Sequence, residues 1–197
     1  MNSGHKKSKL SDMAINIPNI LTLLRILLTP LFVIFLLKNL YFSAMVVFTL
    51  AGISDGLDGF IARYLNQRTT LGAYLDPIAD KLLLTAAYAS LAILNIIPAW
   101  LTVIVISRDV LIAIGMFIFA ITNTRVEIKP SIVSKCTTAA QLLTVFLTLL
   151  QTEIQSVSVI TYSLFWLTAV LTIMSGLHYV YKGLNMLQNA STNQPAE

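Results

Sequence analysis

The chain has 197 residues, of which 56% are hydrophobic and only 11% are charged. Soluble domains carry about 25% charged residues, and a soluble fold of this length cannot bury so much apolar surface. The composition therefore excludes an ordinary soluble domain, a disordered chain and a disulfide-stabilised secreted domain, and it predicts a polytopic membrane protein.

Six apolar stretches, each about 20 residues long, match the length that a membrane-spanning helix requires. Their connections are short, so we expect the helices to pack as neighbours in chain order. The fold class is predicted to be all-α and integral to the membrane, a six-transmembrane-helix bundle. Residues 16–184 form the membrane domain, between polar tails at 1–15 and 185–197. The stretches are 20–37, 41–62, 72–96, 98–121, 133–152 and 157–181.

The placement of lysine and arginine predicts the orientation of the bundle. With a cytoplasmic N-terminus, nine of these cations fall in cytoplasmic segments and only Lys38 falls in an outer loop. Such a bias sets the orientation of membrane helices, and both termini are therefore expected in the cytoplasm. The nine cations are Lys6, Lys7, Lys9, Arg63, Arg68, Arg125, Lys129, Lys135 and Lys182.

Charged residues also lie inside the apolar stretches. Each one near the bilayer centre costs at least about 2.5–3.5 kcal/mol, so we expect them to face the bundle interior, a water-filled cavity or one another. There are eight: Arg25, Lys81, Arg108, Asp55, Asp58, Asp76, Asp80 and Asp109.

Four of the aspartates form two pairs with helical spacing. Asp55 and Asp58 share one face of the second span, and Asp76 and Asp80 share one face of the third. Antiparallel neighbours would bring the pairs together near the cytoplasmic side, where four carboxylates cannot all stay ionised without cations. One or two divalent ions would compensate them, and all-oxygen ligands favour Mg²⁺, Mn²⁺ or Ca²⁺ over zinc. A pair of such ions can clamp a phosphoryl group during its transfer.

The alternative interpretation is structural ion pairing between helices. Lys81 and Arg63 could each pair with one aspartate of the four. Two carboxylates would then remain uncompensated in apolar surroundings, which is costly. The metal site is therefore the favoured interpretation.

The same segment carries a longer pattern of fixed residues and spacings. Its fixed positions match the signature of the CDP-alcohol phosphatidyltransferases, and the six-span plan is similar to that family as well. The resemblance implies an enzyme with two divalent metal ions, Mg²⁺ or Mn²⁺, that binds CDP-diacylglycerol at a cytosol-facing cavity, where an acceptor hydroxyl displaces CMP. The pattern is Asp55-x2-Asp58-Gly59-x2-Ala62-Arg63-x8-Gly72-x3-Asp76-x3-Asp80.

The resemblance also implies a role for each matching position. Asp80 would be both a metal ligand and the general base that takes the proton of the acceptor hydroxyl. The other metal ligands would be Asp55, Asp58 and Asp76. The positions that border the CDP group would be Gly59, Ala62, Arg63 and Gly72.

Flanking segments resemble the glycerol-type branch of the family, which comprises phosphatidylglycerophosphate synthases and CDP-lipid-using cardiolipin synthases. These segments are 16–25, 107–109 and 129–141. Bacterial glycerophosphate enzymes usually have Arg-Glu where this chain has Arg108-Asp109, and Gly-Lys where it has Ser134-Lys135; the present residues look more like mitochondrial-type cardiolipin synthases. Glycerol 3-phosphate is the first choice of acceptor, with phosphatidylglycerol nearly level.

A group of cations outside the signature is predicted to bind the phosphate of the acceptor. Arg108 and Lys135 form its core, with Arg125 and Lys129 nearby, and Asp109 is expected to pair with Arg108. Arg25 has two open interpretations, as a substrate contact or as a partner that neutralises a neighbouring acid.

The remaining expectations concern partners and location. The protein is expected to be a multi-pass membrane protein with its active site at the cytoplasmic side, in the inner membrane if the source is bacterial. A homodimer is a family expectation, and no nucleic acid is expected to bind. A cation or proton transporter is the distant alternative, because buried carboxylates also suit an ion path. All four acids lie toward one membrane face, however, and no inverted repeat accompanies them.

Overall fold

A computed structural model of the protein describes residues 17–64, 70–121 and 132–192. These residues form six α-helices and one short 3₁₀ turn, and the predicted all-helical class is confirmed for them. The 3₁₀ turn, Gln155–Val157, lies between the last two helices. The helices are α1 (Ile17–Leu37), α2 (Tyr41–Tyr64), α3 (Thr70–Ile93), α4 (Ala99–Ile121), α5 (Ile132–Glu153) and α6 (Ser158–Thr192).

The six helices coincide with the six apolar stretches, with ends that differ by a few residues. The largest difference is at α6, which continues to Thr192, beyond the predicted end of the last span at 181. Within the described residues, three helices are long and apolar enough to cross a membrane, and α2 contains a shorter apolar segment, Tyr41–Leu57. The three candidate spans are Ile20–Leu37, Ile132–Glu153 and Ser158–Gly183.

The helices form two compact units, and the division falls between Leu94 and Asn95. In the first unit α1 packs against both α2 and α3, and in the second unit α6 packs against both α4 and α5. The prediction that helices pack as neighbours in chain order is therefore incomplete, since α1 also contacts α3 and α6 also contacts α4. The physical reason is that α1 and α6 carry polar groups whose partners lie on both other helices of their unit.

Each unit has an apolar core between its helices. In the first unit the rings of Phe32 and Phe48 lie 5.6 Å apart between α1 and α2, and Tyr88 of α3 is fully buried. In the second unit the core includes the buried Leu101 and Leu149. The rings of Trp100 and Trp166 lie 5.1 Å apart between α4 and α6 but are exposed.

The turn after α1 ends that helix with a Schellman motif. The amide of Leu40 donates to the carbonyl of Phe35, and the amide of Asn39 donates to that of Leu36, both at 2.9 Å. Asn39 adopts a left-handed conformation with φ of 57°, which asparagine tolerates better than most residues. The motif satisfies the last carbonyls of α1 and reverses the chain toward α2.

Candidate active site

Two of the four predicted metal-ligating aspartates have described side chains, and they come from different helices. Asp55 lies in the second half of α2, and Asp80 lies near the middle of α3. Their side chains are 41% and 40% exposed. Both carboxylates therefore have a side that is open to an approaching ligand.

A buried arginine from α1 joins these two aspartates. Nη1 of Arg25 lies 2.9 Å from Oδ1 of Asp55, and the same nitrogen donates a hydrogen bond to Oδ1 of Asp80. The Arg25 side chain is 0% exposed. A buried charge is tolerated only when it is paired, so the position of Arg25 depends on both carboxylates. The structure shows the ion pairs expected of a neutralising partner, and a substrate contact of Arg25 stays a prediction.

The carboxylate oxygens that meet at Arg25 are suitable ligands for a hard divalent cation. Oxygens from two helices converge on one nitrogen, and carboxylate oxygen is the ligand that Mg²⁺ and Mn²⁺ prefer. Because one guanidinium carries a single positive charge, the two carboxylates keep a net negative charge. Among the described side chains, no three acidic, histidine or cysteine groups come together. The side chains of Asp58 and Asp76, which would enlarge the set, lie outside the described residues.

The positions predicted to border the CDP group lie on the same two helices. Gly59, Ala62 and Arg63 belong to the backbone of α2, and Gly72 belongs to that of α3. Their surroundings lie outside the described residues, so these roles stay predictions.

A second buried arginine, Arg108 of α4, is the centre of a separate polar cluster in the second unit. Its Nη1 donates to Oδ1 of Asp109 at 2.8 Å, which confirms the expected ion pair. Its Nη2 donates to Oγ of Ser134 on α5 at 2.6 Å and to Oγ of Ser175 on α6 at 3.1 Å. Nε of Arg108 is buried without a hydrogen-bond partner within the described part of the chain.

Two residues of α6 lie against Arg108. The guanidinium carbon lies 5.9 Å from the centre of the Tyr179 ring, within the range of a cation–π interaction. Gly176 lies beside the arginine stem, where a Cβ would make an ordinary van der Waals contact of 3.7 Å with Cγ of Arg108. Arg108 itself is only 4% exposed.

The other predicted acceptor-binding cations are only partly within the description. Lys135 follows Ser134 on α5, and its side chain is exposed. Arg125 and Lys129 lie outside the described residues. Of the four cations of the predicted acceptor pocket, the structure thus describes two. Arg108 is buried, and the exposed Lys135 is next in sequence to Ser134, which bonds to Arg108.

Sequence reasoning missed the polar face between α5 and α6. Thr144 and Thr168 share a hydrogen bond of 2.7 Å, and the amide of Gln141 donates to the hydroxyl of Thr172 at 3.3 Å. Small polar side chains of this kind hold helices together in a membrane, where apolar contact with lipid competes with apolar contact between helices. The signal was the helical spacing of the buried polar residues Thr137, Gln141, Thr144 and Thr148 on α5, and Thr168, Thr172 and Ser175 on α6.

A cavity of about 420 Å³ lies elsewhere in the second unit, beside the 3₁₀ turn. None of the predicted site residues lines it. Its lining residues are Ile96, Gln151, Ser158, Val159, Tyr162, Ser163 and Phe165.

Comparison with known proteins identifies the family. The sequence profile of the CDP-alcohol phosphatidyltransferases matches residues 15–174. The human cardiolipin synthase (CMP-forming) is 35% identical over 189 residues, which cover 87% of this chain and 63% of the human protein. The chain thus spans less than two thirds of that relative.

Bacterial relatives carry a different name. The CDP-diacylglycerol--glycerol-3-phosphate 3-phosphatidyltransferase of Bacillus subtilis is 30% identical over 194 residues, which cover 89% of this chain and 99% of the relative. The protein of the same name in Aquifex aeolicus is 36% identical over 183 residues, which cover 87% and 98% of the two chains. Together with the aspartates that meet at Arg25, these similarities show that the chain belongs to the CDP-alcohol phosphatidyltransferase family.

Proposed function

We propose that this chain transfers the phosphatidyl group of CDP-diacylglycerol to a glycerol-type alcohol and releases CMP. The observation that carries the proposal is the meeting of Asp55 and Asp80 at Arg25, in a chain that matches the family over residues 15–174. Glycerol 3-phosphate is the first acceptor we propose, with phosphatidylglycerophosphate as the product.

The described side chains suggest how the transfer would proceed. Asp80 accepts the proton of the acceptor hydroxyl as its oxygen bonds to the lipid-side phosphorus. The bond from that phosphorus to the CMP oxygen breaks, and CMP leaves with the electron pair. Arg25 holds Oδ1 of Asp80 and thereby fixes the orientation of the carboxylate.

A divalent metal pair, Mg²⁺ or Mn²⁺, would neutralise the diphosphate when bound. Asp55 and Asp80 would hold it together with Asp58 and Asp76, which lie one helical turn away on α2 and α3. Gly59, Ala62, Arg63 and Gly72 would border the CDP group.

The acceptor phosphate would bind at Arg108. The support for this step is a buried guanidinium whose Nε has no partner within the described residues. The same guanidinium donates a hydrogen bond to Ser134, which precedes the exposed Lys135. Arginine suits phosphate recognition because its N–H groups match the spacing of phosphate oxygens. Arg125 and Lys129 would add positive charge to the approach.

Phosphatidylglycerol is the second candidate acceptor, which would make the chain a cardiolipin synthase. Two observations favour it: the 35% identity to the human cardiolipin synthase (CMP-forming), and the residues Asp109 and Ser134, which both contact Arg108. Both candidates are alcohols that carry a phosphate, so both would use the same cluster.

The proposed setting is a membrane with the active site on its cytoplasmic side. Three helices long and apolar enough to cross a bilayer support the membrane location. Six spans, two cytoplasmic termini and a homodimer complete the proposal. Membership of a lipid-synthesising family favours this function over the transporter.

The deciding experiment identifies the lipid product. Purified protein in detergent is given CDP-diacylglycerol and Mg²⁺ or Mn²⁺, with glycerol 3-phosphate or phosphatidylglycerol in separate reactions. We expect CMP release that requires both metal and acceptor, and a product that mass spectrometry assigns to one of the two. Release of CMP with neither acceptor, or no release at all, would contradict the proposal.

A further inference from the structure

Arg25 is the one buried cation that touches the acidic site within the described residues. Its side chain is 0% exposed, whereas the carboxylates of Asp55 and Asp80 are about 40% exposed. The arginine therefore lies on the inner side of the carboxylates, and their open sides face away from it. A ligand that approaches the site meets the aspartates first.

The charges of the three described side chains that meet here, Arg25, Asp55 and Asp80, do not balance. Two carboxylates and one guanidinium carry one net negative charge among them, and both of these ion pairs use the same nitrogen, Nη1. Arginine at this position thus lowers the repulsion between Asp55 and Asp80 without cancelling their attraction for a further cation. It also fixes the spacing between an oxygen on α2 and an oxygen on α3.

We propose that Arg25 is a resident cation that stabilises the acidic site while no metal is bound and sets the spacing of Asp55 and Asp80 for the metal. This inference rests on the proposed function, in which these aspartates bind metal. Arg25 is a positioning residue under this proposal, because it acts through the two carboxylates.

The proposal predicts a link between Arg25 and metal-dependent stability. Without the arginine, Asp55 and Asp80 repel each other in partly apolar surroundings, and the metal-free protein loses stability. A bound divalent ion replaces the missing charge, so metal then stabilises the variant more than it stabilises the unchanged protein. If Arg25 had a purely structural role, its replacement would destabilise the protein equally with and without metal.

The test measures thermal unfolding of the full chain in detergent, in EDTA and in excess Mg²⁺ or Mn²⁺. The variants are Arg25→Gln, Arg25→Lys and, as a matched control, Arg108→Gln. Arg108 is also a buried arginine that is paired with an aspartate, but its described partners lie in the second unit. Loss of either arginine breaks a buried ion pair and should lower Tm by on the order of 10 °C in EDTA.

The expected result separates the two arginines. Metal should restore most of the lost Tm in Arg25→Gln and little of it in Arg108→Gln. Arg25→Lys should lie between Arg25→Gln and the unchanged protein in EDTA, because one ammonium can replace the single nitrogen that makes both contacts. If Arg25→Gln cannot be purified, the lysine variant and the unchanged protein give the same comparison.

Two outcomes would overturn the proposal in distinguishable ways. An equal rise of Tm with metal in the unchanged protein and in the Arg25 variants would leave the metal site intact and remove the role of Arg25. If metal raised the Tm of none of the proteins and CMP release continued in EDTA, the proposed function would be wrong in requiring a metal.

Discussion

Among the described residues, each unit contains a buried arginine that bonds to both other helices of that unit. Arg25 of α1 contacts Asp55 of α2 and Asp80 of α3. Arg108 of α4 contacts Ser134 of α5 and Ser175 of α6. Charge inside an apolar helix is costly. Arg25 has its described carboxylate partners on two other helices, whereas Arg108 adds bonds to α5 and α6 to the ion pair that it makes with Asp109 of its own helix.

Asp80 offers the sharpest test of the chemistry. Replacing Asp80 with Asn keeps the size of the side chain and removes its ability to accept a proton. We expect CMP release to fall by about 10²–10⁴-fold, the usual contribution of a general base. The measurement is the rate of CMP release at saturating metal and both substrates.

The control for Asp80 is an acid outside the site. Glu153→Gln removes a carboxylate at the exposed end of α5, and its rate should stay near that of the unchanged protein. Full activity in Asp80→Asn would contradict the role of the general base.

Ser175 offers a test of the acceptor pocket. Ser175→Ala removes one of the hydroxyls that hold Nη2 of Arg108, so the guanidinium loses part of its orientation. One hydrogen bond is worth about 1 kcal/mol, which corresponds to about a fivefold rise in the KM for the acceptor. The KM for CDP-diacylglycerol should not change.

Ser163→Ala is the matched control for Ser175, since it makes the same change on the same helix. The hydroxyl of Ser163 is exposed and donates only to the carbonyl of Val159 of its own helix among the described contacts. Equal kinetic effects of the two substitutions would show that Ser175 does not act through Arg108.

At the scale of helices, the pairing of α5 with α6 depends on buried hydroxyl groups. Thr144 bonds to Thr168 across the interface, and its hydroxyl also donates to the carbonyl of Ala140. Thr148 lies one turn further along α5 and is as deeply buried, but its hydroxyl has no partner within the described residues. The two threonines are therefore equally buried, but only the hydroxyl of Thr144 has a hydrogen-bond partner among the described residues.

The same substitution at these two threonines should give opposite results. Thr144→Val removes the bond to Thr168, which keeps only a long bond of 3.5 Å to the carbonyl of Ala140 among the described contacts, and should lower the free energy of unfolding by about 1 kcal/mol. Thr148→Val removes an unpaired buried hydroxyl and should be neutral or stabilising. Thermal unfolding in detergent measures both, and a larger loss at Thr148 would contradict the assigned bonding.

The helices themselves could be predicted well from the sequence, because a membrane span needs an uninterrupted apolar stretch of known length. All six helices lie on predicted stretches. The contacts between helices were harder to predict: nothing in the apolar pattern of α1 indicates that it packs against α3 as well as α2. Those contacts follow from single polar residues such as Arg25, whose partners are distant in sequence.

The site was predictable to the extent that spacing and residue type determine it. The placement of Asp55 and Asp80 at one point follows from the signature, and the pairing of Arg108 with Asp109 follows from their proximity in sequence. Ser175 and Tyr179 could not be assigned to Arg108 in advance, because a serine and a tyrosine on an apolar helix carry no information about which neighbour they meet.

For the whole molecule, the proposed orientation predicts which parts of the chain are accessible from each side. Cys136 is the one cysteine in the chain and its side chain is exposed, so it is first replaced by serine. A cysteine at Lys38 should then react with a membrane-impermeant maleimide in intact cells. A cysteine at Lys182 should react only after the membrane is opened.

Both positions are lysines in the unchanged protein, so we expect a cysteine at either one to be in contact with water. Its labelling then reports which side of the membrane it faces. Labelling of both sites from outside, or of Lys182 alone, would contradict cytoplasmic termini. A quantitative comparison with opened cells controls for differences in the reactivity of the two cysteines.

The order of helices within the two units has a consequence for how the protein is made. Among the described residues, the helix that touches both others is α1 in the first unit, which is made first, and α6 in the second unit, which is made last. The contacts of Arg25 can therefore form as soon as α3 is made. Arg108 can pair early with Asp109 of its own helix, but its contacts with Ser175 and Tyr179 must wait for α6. A ribosome that stalls before α6 would leave the guanidinium of Arg108 with its partners on α4 and α5 but without the hydroxyl and the aromatic ring that α6 supplies.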